Sequence, residues 1–159
     1  WVVCEGTFFF SGFAMLLARS DKIPGIAEQI QYTLRDESIH IKFGTTLLNK
    51  IREQNPDLMT DKFETELTEV LKQAVELEIE YAKDVLPRGI LGLNSEMFVE
   101  YMQFIANRRL ENLNMKYRYD SDNNPFPWLS EVIDIRKQKN FFETRVIDYQ
   151  DESALVDDF

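Results

Sequence analysis

The sequence predicts an all-α fold, a bundle of long helices, from three observations. Almost no segment alternates apolar and polar residues with period two, and most recur at three and four. Turn-forming Pro, Gly, Asn and Asp gather in a few places, leaving long periodic stretches between them. Two consecutive apolar stretches each carry a carboxylate on the side that should face the core.

The first helix is the stretch WVVCEGTFFFSGFAMLLA, ending near Ala18 before the turn RSDKIPG. Its clean apolar part, Gly6 to Ala18, falls short of the about 20 residues that a membrane span needs. It is therefore read as a helix buried inside a bundle, not a membrane helix. The second helix runs from about Ile26 to Arg52, with Ile26, Ile30, Leu34, Glu37, Ile41, Leu48 and Ile51 on one stripe, and NPDLMT breaks it. A third begins near Asp61, where Asp61 and Glu64 have capping-box spacing. It passes through Leu67, Val70, Leu71, Ala74 and Glu78 towards Leu86. LPRGILGLNS is a loop, after which Asn94 or Ser95 caps a fourth helix with Phe98, Met102, Ile105 and Leu113 on one side. The stretch YDSDNNPFPW is rich in turn residues. The terminal DYQDESALVDDF is acidic and reads as a mobile tail. The expected organisation is one bundle unit over 1–140 and a tail over 141–159, with no internal repeat.

Composition narrows the function. With 159 residues the chain can bury a sizeable core. A net charge of −10 argues against a grip on nucleic acid or an anionic membrane. The single cysteine, Cys4, excludes an internal disulfide and a multi-Cys metal site, which fits a reducing cytoplasm. Trp1 stands inside an apolar stretch with no basic lead, so this is no signal peptide, and further helices are expected upstream.

The stretch RDESIHIKFG holds the only histidine, three residues after Glu37. Residues i and i+3 are neighbours on a helix face, so Glu37 and His40 can converge on one point. That point lies on the stripe of Ile30 and Leu34, where an unpaired carboxylate is costly. A divalent metal removes the cost, and carboxylate with imidazole suits iron, manganese or zinc. Glu5 stands alone in an apolar helix, with Phe9 and Phe13 further along its face. Each observation has a plain rival. A Glu and a His at this spacing are more often a solvated pair, Glu5 could cap or snorkel near a helix start, and Cys4 is expected as a small core residue. Taken together, acids on the buried sides of two consecutive helices point to ligands. Two-metal bundles take one Glu from each of two helices and Glu-x-x-His from each of the other two. This sequence supplies one of each, which is half a site. A second copy or further helices must complete it, and the start at Trp1 favours further helices.

These residues carry a resemblance. The sequence resembles the C-terminal half of the small, radical-generating subunit of class I ribonucleotide reductase. CEGTFFFSGF is similar to the family's third ligand helix, QYTLRDESIH to its fourth, and EYMQFIANRRLENL to the helix that follows. NPFPWLSEVIDIRKQKNFFETRVIDYQ is similar to the segment leading into the tail. The resemblance implies a ferritin-like helical fold, a homodimer and a dinuclear metal centre of two irons, manganese with iron, or two manganese ions. EGTFFFSGF looks more like the mixed-metal or tyrosine-lacking branches. It implies a stored oxidising equivalent that passes to a large catalytic subunit, where ribonucleotides become deoxyribonucleotides. By the same resemblance Glu5, Glu37 and His40 are metal ligands and Asp36 lies on the radical-transfer route. Phe9, Phe13 and Leu34 line the site, and Tyr149 relays the radical between subunits. Leu155, Val156 and Phe159 belong to a tail that docks on the large subunit. Two rival readings are a metal-storage bundle and a di-iron oxygenase, neither of which needs a redox tyrosine in its tail.

Overall fold

A computed structural model describes residues 1–90 and 92–130. Tyr149, Leu155, Val156, Phe159 and the boundary expected near residue 140 lie outside the described residues. The described residues are helical with no strand. Ile90 and Leu93 exchange two backbone hydrogen bonds across a turn, and nothing longer forms. A π-helical turn, Cys4–Phe8, runs directly into α1, Phe9–Leu17. Then follow α2, Pro24–Gln54, a 3₁₀ turn, Pro56–Leu58, α3, Asp61–Val85, and α4, Ser95–Asn112.

The helix limits have local causes. Pro24 opens α2, where its missing N–H is not needed. Asn55 precedes Pro56, which disfavours helical backbone, and α2 ends there. Asn94 caps α4 as expected, its Oδ1 accepting from the Met97 N–H at 2.9 Å. The cap of α3 differs from the expectation. Thr60, not Asp61, is extended (ψ 155°), and its Oγ1 accepts from the Phe63 N–H at 3.2 Å. Glu64 is then left to a distant partner, and its carboxylate accepts the Lys116 N–H at 3.0 Å. That bond is the largest cause holding the Glu64 carboxyl below its ordinary range.

Helix α1 packs on α2, and α3 packs along α4. Phe10, Phe13, Leu34, Val75, Phe98 and Met102 join one core across all four helices. Phe98 and Tyr101 close on Phe126 with ring centroids 5.5 and 5.0 Å apart. Burial pushes the Tyr101 phenol well above its ordinary pKa. A second cluster of Val2, Leu71, Leu110, Leu113 and Met115 ties the first residues to α3 and α4.

The expected stripe of α2 is buried only in its middle. Leu34, Glu37 and Ile41 are covered, whereas Ile26, Leu48 and Ile51 are exposed. Val70 of α3 is exposed as well. Length explains one end. With 31 residues α2 spans about 46 Å, and α1, with nine, spans about 14 Å. The C-terminal end of α2 therefore outruns α1, whereas at the other end Ala27, not Ile26, turns inward. Ile39, Phe43 and Leu47 face outward from the same helix, a large exposed apolar surface. No helix among the described residues is long and apolar enough to cross a membrane.

Candidate metal centre

The first ligand candidate stands on an irregular turn. In an α-helix the Gly6 N–H would reach the Val2 carbonyl. Here Gly6 N–H donates to Trp1 at 3.0 Å, and the Thr7 and Phe8 N–H groups both donate to Val3. The skipped Val2 carbonyl is taken by the buried Thr7 hydroxyl at 3.1 Å. A π turn inserts one residue into the ladder, and such insertions are frequent at functional sites. Glu5 lies inside this one.

The insertion is contacted from outside. Arg109 of α4 donates from Nε to the Gly6 carbonyl at 2.7 Å, a buried bond. Its guanidinium carbon lies 4.7 Å from the centroid of the Phe10 ring. A Cβ on Gly6 would sit 3.0 Å from that Nε, so any larger residue there would press on Arg109. Burial pulls the Arg109 pKa down to about 10, with the nearby Arg108 charge adding to it, and the side chain stays charged at neutral pH.

Glu37 and His40 meet Glu5 from α2. His40 Nδ1 is 3.1 Å from Glu37 Oε2 and 3.7 Å from Glu5 Oε2. One ligand atom from each of the three residues lies within 4.8 Å of the others. The Glu37 side chain is 12 % exposed, that of Glu5 24 % and that of His40 53 %, so the group is closed at Glu37 and open at His40. Glu5 Oε2 is buried and has no hydrogen-bond partner, because His40 stands just beyond bonding distance. A buried carboxylate oxygen without a donor is costly, and a cation between these three side chains removes the cost. The donor set therefore fits a divalent metal of the iron and manganese type.

The other expected site residues divide. Phe13 and Leu34 are buried, as a dry lining would be, whereas Phe9 is 43 % exposed and turns its ring edge to Phe13. Asp36, next to Glu37 but about 100° round the helix, is exposed and 3.9 Å from Arg35. Three contributors were missed in the sequence. Gly6 and Thr7 build the π turn, and Arg109 braces it. Their signals were faint: a Gly-Thr pair directly after the lone acid, and a cation on the stripe of Ile105 and Leu113.

Residues 1–125 match the family model for ribonucleotide reductase, small chain. The protein belongs to that family. It is 55 % identical over 157 residues to the ribonucleoside-diphosphate reductase subunit beta of Chlamydia pneumoniae, covering 98 % of its own length and 45 % of that protein. It is 32 % identical over 153 residues to the ribonucleoside-diphosphate reductase small chain of Nicotiana tabacum, covering 95 % of its own length and 44 % of that protein. A ribonucleotide reductase R2 subunit from Clostridium botulinum has the same fold over 82 % of the present sequence and 42 % of its own, at 28 % identity and a TM-score of 0.78. The 159 residues thus span less than half the length of these small-chain relatives. The expected ferritin-like helical fold is borne out. A dinuclear metal site goes with the ribonucleotide reductase small chain, and Glu5, Glu37 and His40 are candidate ligands for part of it.

Proposed function

We propose that this polypeptide is part of a ribonucleoside-diphosphate reductase small subunit and that Glu5, Glu37 and His40 hold one half of its dinuclear metal centre. The observation that carries the reading is the buried, unpartnered Glu5 Oε2 facing His40 and Glu37. A centre of two irons, manganese with iron, or two manganese ions supplies a stored oxidising equivalent when bound. The protein's own residues set its surroundings. Glu5 and Glu37 offer negative charge, and His40 offers a neutral nitrogen donor. Phe13 and Leu34 keep water from the closed side, and Phe9 completes that lining where a further helix covers it. Asp36 and Tyr149 carry the electron and proton path, and Leu155, Val156 and Phe159 dock on the large catalytic subunit. There ribonucleotides are reduced to deoxyribonucleotides. The subunit works as a cytoplasmic homodimer, with residues 1–140 as the bundle part and 141–159 as the docking tail.

Metal analysis of Glu37→Ala in the intact protein tests the ligand assignment. The variant should lose most bound metal, and full metal content would overturn the assignment. An oxygenase or metal-storage bundle shares the ligands but not the tail, so substitution at Tyr149 separates those readings from this one.

A further inference from the structure

The π turn that carries Glu5 is one of two registers open to this segment. Were the inserted residue to relax into a regular α-helix, side chains upstream of the change would turn by about 100° relative to those downstream. Glu5 would then leave His40. The turn's own hydrogen bonds do not lock it, because an α register would pair the same groups with better geometry. The lock comes from α4, which is fixed in the core by Met102, Ile105 and Leu110.

We propose that Arg109 is a positioning residue for the metal ligand Glu5: its Nε–H, by holding the Gly6 carbonyl, keeps the π turn in the register that aims the Glu5 carboxylate at His40. Four observations carry this. Arg109 is 6 % exposed, an expensive place for a cation. Its buried bond goes to the carbonyl next to the ligand, at 2.7 Å. Phe10, one turn on, has the guanidinium carbon over its ring, 4.7 Å from the centroid. Gly6 leaves the space that this contact needs, since a Cβ would sit 3.0 Å from Nε. A planar guanidinium can stack and donate from Nε at once. A lysine keeps the charge but has no fork to do both.

The inference rests on the metal-centre reading above, and the test separates the two. Mn(II) affinity is measured by chelator competition on the intact apo protein, for Arg109→Lys alone and in a Glu5→Gln background. A positioning role predicts a loss of about 10–100-fold in the first case, the range for groups that orient ligands. In the second it predicts almost none, because the ligand being aimed is already gone. Equal losses in both backgrounds, or no loss in the first, would overturn the proposal and leave Arg109 as a packing residue. Should Arg109→Lys fail to fold, Gly6→Ala attacks the same contact from the other side and must show the same pair of results. Glu37→Ala serves as control. If it keeps full metal, the metal-centre reading fails and Arg109 falls with it. If it loses metal while Arg109→Lys acts equally in both backgrounds, only the positioning role fails.

Discussion

The Ser11 hydroxyl donates to Glu78 Oε2, joining α1 to α3 through a hydroxyl that is itself buried. Glu78 lies on the inner stripe of its helix, among Phe8, Phe9, Phe13, Ile30 and Tyr81 at an open apolar groove of about 450 Å³. Burial pushes its carboxyl above the ordinary 4.5, and the Ser11 bond opposes that rise.

A pH dependence follows. Above 4.5 the unfolded protein releases this proton while the folded protein still holds it. The contribution of Glu78 is therefore fully present below 4.5 and is lost as pH rises through the folded value. Glu78→Gln keeps the shape without the titration. Its urea midpoint relative to the unmutated protein should rise between about pH 4 and pH 7. A difference that stays flat across that range would show that Glu78 titrates as an ordinary surface acid.

The core of α2 gives a second expectation. Leu34 is 1 % exposed and sits one turn before Glu37. Leu34→Ala should cost about 2–5 kcal/mol of unfolding free energy, as buried Leu truncations do. Ile39→Ala, on the outward face at 61 % exposure, should cost far less if that face is free in the intact protein. Comparable losses would mean that another element covers Ile39.

Caps provide a third. Thr60→Ala and Asn94→Ala should each cost about 0.5–2 kcal/mol, because each removes the acceptor of a first-turn N–H. Asp61→Ala should cost less than Thr60→Ala, since Asp61 is already inside the helix and its contact with Lys116 is exposed. The reverse order in thermal melts would restore Asp61 as the cap.

The tail reading is tested in the intact protein with its large subunit. Tyr149→Phe keeps the ring and removes the O–H, whose proton is ordinarily retained at neutral pH. It should lose nearly all nucleotide reduction while metal content and large-subunit affinity stay unchanged. Removing residues 153–159 should instead abolish binding to the large subunit, again sparing the metal. Near-normal turnover in Tyr149→Phe would end the relay assignment.

The sequence by itself determined the helical class, three of the four long-helix positions to within a few residues, the Asn94 cap and the adjacency of Glu37 and His40 on one face. These are local. A 3.6-residue period, a capping amide and an i, i+3 pair each act within one or two turns, so the order of residues suffices. Glu5 could be singled out as an acid in apolar surroundings, but not where its carboxylate points. Only the tertiary structure decided that. The π turn meets Arg109 through a bond between residues 6 and 109, and such a contact leaves no periodic trace in the sequence. The same holds for Glu64, whose partner is Lys116 rather than its own helix start, and for the exposed C-terminal end of α2, which depends on how short the covering helix is. Local propensity placed the candidate ligands on their helical segments. The tertiary structure brought the π turn and α2 to one point, with α4 packed beside the turn.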